Sequence, residues 1–387
     1  MALADLTKVL QPVDTARGLP NEHYISEEMF ELERQKVLFD NWASIGFAHD
    51  IPEVGDVMPL KFAGLPVFMV RTKTGEIKVY ENVCRHRGME LVSEKKNIGK
   101  GVIRCFYHSW CYAQTGELIT TPHVGGPGQN RHDNIKREEL GLLEVRSQVW
   151  FGVVFVNVSG DAPEFQDYAA DALERWAEFK DQEFLGSSES VLQFDVNSNW
   201  KLPVENYCES YHLPWVHPGL NSYSRLEDHY HIENPGKYSG QGSVVFTQYK
   251  DSDGRVFPDF PNLSEQWKTC GEYIALYPNT LLGVQRDHCF AIVLKPFGPT
   301  RTVEEVALFY ATEGAAFGDD FAGMRKEMAE RWYEVFDEDV WAVEGMQRGR
   351  HTVKYDGGKF SPAMDGPTHC FHHWVASQIV GQQLAAE

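Results

Sequence analysis

Two short stretches, CRHRGMEL (84–91) and CFYHSWCY (105–112), each place a cysteine and a histidine within a few positions of one another. The pattern is Cys84-X-His86, eighteen intervening residues, then Cys105-X-X-His108. Four soft or borderline ligands so close in sequence point to a metal centre. Both pairs fall at the ends of predicted β-hairpins, where two loop tips can meet around one site.

The chain has 387 residues, more than one core usually organises, which predicts two domains or one elaborated domain. Hydrophobic residues make up 42% and aromatics 13%, so burial rather than cross-linking can hold the fold, and seven cysteines make no disulfide framework. The first twenty residues lack a signal-peptide core and no later run nears the ~18 apolar residues of a membrane span, which predicts a soluble cytoplasmic protein with reduced thiols. A formal charge of -20 repels polyanions and argues against nucleic acid or an anionic membrane surface as partners, while mildly favouring a cationic ligand.

The texture changes along the chain. Residues 24–42 look helical, with Ser26 as N-cap and Glu27 and Glu28 at the positive end of the helix dipole. β signals then take over: a hairpin at 67–83 turning near Thr74-Gly75, another turn at 113–118, and a buried strand or hairpin at 149–158. After Pro163 come a helix, long strand-like runs at 272–284 and 288–297, and helices near 318–336 and 369–385. The expected domains are an N-terminal helical segment (1–42), a small all-β domain (43–160) and an α+β domain (161–387) with helices outside an antiparallel sheet.

Spacing separates two candidates for the four-ligand centre. Structural zinc uses these ligand types, but zinc fingers usually keep the two cysteines in one pair and the two histidines in the other. In a Rieske [2Fe-2S] centre two thiolates hold one iron and two imidazoles the other, so each loop supplies one of each, as here. Phe106, Tyr107 and Trp110 are expected to shield such a cluster. A second constellation lies in NWKLPVENYCESYHLPWVH (199–217), read as a helix opening at Pro203 and stopping at Pro214. Its polar face includes Glu205, and Glu209 and His212 are expected together on it, with His217 folding back past the break. Asp339, on a later helical segment (337–349), completes a 2-His-1-carboxylate triad suited to a mononuclear Fe(II), with Asp337 as its rival.

With both constellations present, the chain resembles the large, oxygenase component of Rieske non-haem iron oxygenases from about residue 24 onward. The cluster motif matches Cys84, His86, Cys105 and His108; the catalytic motif matches Glu205, Asn206, Glu209, Tyr211, His212 and His217. Two departures are Phe106 in place of the usual proline, and Glu209 where aromatic-ring dioxygenases usually carry aspartate. The resemblance implies a helix-grip-like catalytic domain beside the Rieske domain, and a homotrimer in which Glu209 bridges the cluster of one subunit to the iron of its neighbour. It further implies a reductase or ferredoxin that delivers electrons from NAD(P)H. Glu209, LYPNTLLGV (276–284) and CFHHWVASQI (370–379) are most similar to the branch acting on choline, carnitine and betaines, which implies N-demethylation of a quaternary ammonium substrate.

Such a cation needs aromatic faces, because a quaternary nitrogen donates no hydrogen bond; Tyr207 and Trp215 are the expected cage. Cys111 and Cys208 read as packed thiols, Glu338 and Glu344 as solvated or supporting acids, and His372-His373 as helix-packing residues. An aromatic-ring dioxygenase and a zinc-stabilised binding protein stand as the alternatives.

Overall fold

In a computed structural model that describes residues 6–381, the chain divides into two units: Ile45–Gly160, and residues 161–387 joined by the N-terminal 44. Among the described residues no helix is long and apolar enough to cross a membrane.

The first unit is β-structure. Its larger sheet runs in the order Ala43–Phe47, Val153–Asn157, Glu144–Trp150, Ile77–Glu81, Leu65–Arg71, Asp56–Phe62 and Lys96–Asn97. The 149–158 stretch is a hairpin, because Phe151 and Gly152 both take positive φ and reverse the chain. A three-stranded sheet (Ile103–Arg104, Cys111–Tyr112, Leu118–Thr120) carries the second Cys-His pair. Val57, Phe68, Val70, Tyr80, Trp110 and Tyr112 form the core, and Cys84 and Cys105 belong to it.

The second unit is built on a seven-stranded antiparallel sheet: Val191–Val196, Thr302–Tyr310, His288–Pro296, Thr280–Val284, Gly271–Leu276, Tyr238–Ser243 and His229–Asn234. Helix Lys201–Tyr207 packs against helices Ala322–Gly349 and Gly366–Val380, which themselves pack on the sheet strands. The N-terminal segment is anchored here by buried charge. Lys201 Nζ donates to Glu33 Oε2 (2.5 Å) and to the His23 carbonyl (2.7 Å), while the Tyr24 hydroxyl donates to Glu205.

Four sequence expectations need correction. The 24–42 helix breaks at Ser26, whose hydroxyl accepts from Met29 N as expected of a cap, and its end relaxes to a π-helix over Arg34–Phe39. Residues 318–336 and 337–349 are not separate elements; one 28-residue helix, Ala322–Gly349, spans them, and no proline interrupts it. The C-terminal helix ends at Val380 because Gly381 takes a left-handed φ of 70°, and residues 382–385 lie outside the described residues. The motif helix stops at Tyr207; Pro214 does not terminate it but sits in the first turn of a second short helix, Leu213–Val216.

Candidate functional site

The two Cys-His loops are closed in the same way. Gly88 N donates to the Cys84 carbonyl and Cys84 N to Met89 O; Ser109 N donates to the Cys105 carbonyl and Cys105 N to Trp110 O. Gly88 and Ser109 hold equivalent positions with φ of 72° and 57°, so each loop is a tight knuckle that aims its cysteine inward. Both cysteines are 2% exposed, whereas His86 is exposed and His108 half-buried. The thiol side of the site is therefore dry and the imidazole side faces outward. The two imidazoles meet edge to face at 4.6 Å, and His108 Nδ1 is buried without a hydrogen-bond partner among the described residues. An orphaned buried nitrogen beside two core thiols is what a two-iron, two-sulfur group would complete.

Neighbouring groups fit the same purpose. The Tyr112 hydroxyl lies 3.2 Å from Cys84 Sγ while accepting from Arg85 N at 3.0 Å, so its proton points at the sulfur. Trp110 is buried and stacks on His86 at 4.8 Å. Phe106 does not shield the site, being 68% exposed with Lys96 over its ring, whereas Tyr107, 55% exposed and under Arg87, packs its ring 3.8 Å from that of His108. Phe106 projects outward on a turn too tight to fold it back.

In the catalytic unit, His212 Nε2, His217 Nε2 and an Asp339 carboxylate oxygen lie within 4.8 Å of one another and form a group able to hold a metal ion. Asp339 Oδ1 is 2.9 Å from His217 Nε2 and 3.7 Å from His212 Nε2. Each imidazole is oriented through its other nitrogen: His212 Nδ1 lies 2.8 Å from Glu209, and His217 Nδ1 lies 2.7 Å from Glu338. A carboxylate behind each ring fixes the tautomer that leaves Nε2 as the donor atom toward a metal. Burial lowers the proton affinity of His217, but Asp339 and Glu338 outweigh it and the pKa rises. Asn206, on the last turn of the motif helix, donates to Asp339 Oδ1 at 2.7 Å. Glu304 lies buried on the sheet behind this carboxylate; burial first, and Asp339's charge second, push it up to about 8.

The pairing of Glu209 with His212 does not come from a shared helical face, as the spacing suggests, because residues 208–212 form a turn. The Glu209 carboxylate builds that turn by accepting from the backbone N–H groups of Tyr211 and His212. Asp337 is exposed, two positions round the helix from Asp339, and does not join the group. Glu344 instead accepts from Asn197. Glu205 leaves the polar face for a buried cluster with Arg350 (3.3 Å) and His372 (3.3 Å), so His372 is more than a packing residue. Leu19 N donates to His372 Nδ1, which turns Nε2 toward the carboxylate. Cys208 packs against Ser239, and Cys111 lies 3.3 Å from the Ser109 carbonyl.

A cavity of ≈ 70 Å³ adjoins the three ligands, and Tyr207, Tyr273, Phe290, Trp332 and Phe336 give it ring faces. Tyr207 reaches it while its hydroxyl donates to the Leu282 carbonyl. Trp215 does not: it is 71% exposed and meets the Tyr211 ring edge to face, because its short helix turns that face outward. Sequence reasoning missed Trp332 and Phe336, although both lie on Asp339's helix at spacings of seven and three, which recur on one face. It also missed Phe290 and Tyr273, which only strand pairing brings near; Trp332 and Phe290 lie 4.5 Å apart.

Residues 173–381 match the family model for the ring hydroxylating alpha subunit (catalytic domain), and residues 41–135 match that for the Rieske [2Fe-2S] domain. The chain is 26% identical to the chloroplastic choline monooxygenase of Arabidopsis thaliana, covering 96% of this chain and 86% of that protein. It is 31% identical to the glycine betaine monooxygenase oxygenase subunit of Pseudomonas aeruginosa over 57% of this chain and 48% of that protein. The fold is similar to that of the quaternary ammonium Rieske monooxygenase CntA in complex with L-carnitine, with a TM-score of 0.75, 22% identity, and coverage of 94% and 96% of the two chains.

Proposed function

The chain belongs to the ring hydroxylating alpha subunit family and carries a Rieske [2Fe-2S] domain, and on that premise we propose that it removes an N-methyl group from a betaine- or carnitine-like quaternary ammonium compound. It is a Rieske non-haem iron oxygenase, the oxygenase component of a system in which a reductase or ferredoxin supplies electrons drawn from NAD(P)H. When bound, the cluster supplies single electrons and the mononuclear iron activates dioxygen.

In this reading Cys84 and Cys105 hold one iron of the cluster, His86 and His108 the other, and His212, His217 and Asp339 hold the mononuclear iron. Glu209 and Glu338 keep the two imidazoles turned toward the metal. The observation that carries the substrate class is the aromatic lining beside the ligand triad, where Tyr207, Tyr273, Phe290 and Trp332 surround the cavity. A methylated cation gains from ring faces and from burial of its methyl groups, and a lone carboxylate could not recognise it by hydrogen bonding. The names of the choline, glycine betaine and carnitine relatives support the same class. Hydroxylation of an N-methyl carbon gives a hemiaminal, which loses formaldehyde and leaves the demethylated amine.

Glu209 is in addition assigned as the electron bridge to a neighbouring subunit, in a homotrimer. We place the protein in the cytoplasm, where Cys84 and Cys105 stay reduced and available as ligands. The test supplies the purified holoenzyme with a competent reductase, NADH, oxygen and a panel of betaines and arenes. Formaldehyde with a betaine supports the reading; a cis-diol from an arene would make the chain an aromatic-ring dioxygenase with the same two metal sites.

A further inference from the structure

The cavity beside the metal ligands adjoins a larger one of ≈ 520 Å³, and the two share Leu220, Ser224, Tyr273, Trp332 and Val335 in their walls. The outer cavity differs from the inner one in charge. Among the described residues no Asp or Glu lines it, and its formally charged side chains are Lys250 and Arg331. Both are exposed and neither has an ion-pair partner among the described residues, in a chain whose formal charge is -20. The Arg331 guanidinium lies 4.3 Å over the Tyr249 ring, which fixes its stem and leaves its edge donors unengaged. His288 also lines this cavity but is already committed: Nε2 accepts from Trp332 Nε1 at 2.9 Å and Nδ1 lies 2.8 Å from the buried Asp287.

The two cavities together offer ring faces and the Asp339 carboxylate at the inner end and two cations at the outer end. We propose that Arg331, assisted by Lys250, forms the subsite that binds the carboxylate of the betaine- or carnitine-like substrate. This rests on the reading above that a quaternary nitrogen occupies the inner, aromatic end. Arg331 and Asp339 stand eight residues apart on one helix, about 12 Å of axial rise. The two charges of the substrate are accordingly separated by several bonds, and a planar guanidinium suits a carboxylate because it can bond both oxygens at once.

The experiment compares 4-(trimethylammonio)butanoate with its methyl ester, in the holoenzyme and in Arg331→Gln, by calorimetric titration and by formaldehyde release. A charge-assisted pair is worth roughly a 10-fold change in affinity or more, so the acid should bind the unaltered enzyme at least about 10-fold more tightly than the ester. Arg331→Gln should abolish that preference, raising Kd and KM for the acid while leaving the ester's values and kcat for both within about twofold. Equal binding of acid and ester to the unaltered enzyme, or an equal loss for both in Arg331→Gln, overturns the anion subsite. The product arm judges the underlying reading separately: Arg331-dependent binding of the acid without formaldehyde keeps the subsite and removes the demethylase assignment.

Discussion

Cys84 and His108 are asked to hold different irons of one cluster, so losing either should empty the whole site. In Cys84→Ser or His108→Ala we expect the visible absorption of the cluster to vanish and iron content to fall by about two per chain, with the mononuclear iron retained. An intact visible spectrum would refute the assignment. Asp339→Ala should show the reverse, a brown protein that has lost its mononuclear iron; full iron content there would transfer the role to Asp337. Glu209 does two jobs in the structure, since it accepts from the backbone of the turn and orients His212. Glu209→Ala should accordingly weaken iron at the His212 site by about 10- to 100-fold, as losses of such supporting carboxylates do, in addition to stopping turnover. Equilibrium iron titration of the variant measures the first effect, and unchanged affinity would restrict Glu209 to the bridging role. Both candidate ligand sets could be picked out in the sequence because ligand chemistry restricts residue type and local spacing. Trp215 was misjudged for the opposite reason, because nearness in sequence says nothing about which way a one-turn helix faces.

At the scale of elements, the site depends on where helices stop. The motif helix ends at Tyr207, which frees residues 208–212 to make the turn that pairs Glu209 with His212, while the 28-residue helix stays unbroken and delivers Trp332, Phe336 and Asp339 together. The strands contribute through close approach. A Cβ on Gly283 would stand 2.4 Å from the Phe290 ring, so glycine at this position is what lets that ring lie across the neighbouring strand and face the cavity. Gly283→Ala should cost about 1–3 kcal/mol by overpacking and displace Phe290. Chemical denaturation and calorimetric titration of the betaine should both register the change; full stability with unaltered substrate binding would mean that the ring is not fixed by this contact.

For the whole molecule, the notable feature is that a segment from the N-terminus is bound to the motif helix through fully buried charge. Glu33 and Lys201 are each 0% exposed and face one another, with His23 Nδ1 2.9 Å from the other Glu33 oxygen. Burial, the largest influence on Glu33, would raise its pKa, but Lys201 and His23 outweigh it and hold the carboxyl below its ordinary 4.5. A carboxyl depressed in the folded state contributes stability that is complete above pH 4.5 and is lost as the pH falls through its lower folded value. Glu33→Gln should remove that part of the acid dependence and, by leaving Lys201 charged and unpaired, cost about 3–5 kcal/mol at neutral pH. Denaturant midpoints measured between neutral and acid pH decide it: parallel curves for the two proteins would show that Glu33 is not part of the acid response. The sequence by itself determined the chemistry of both metal sites and the α+β division, because coordination demands particular residue types and because alternation and turn residues are local signals. Only the tertiary structure decided which aromatic rings reach the cavity, that Glu205 serves a buried charge cluster, and that Arg331 and Lys250 share a wall with no acid. Those facts depend on strand pairing and helix packing between residues up to hundreds of positions apart, and no local pattern of the chain encodes them.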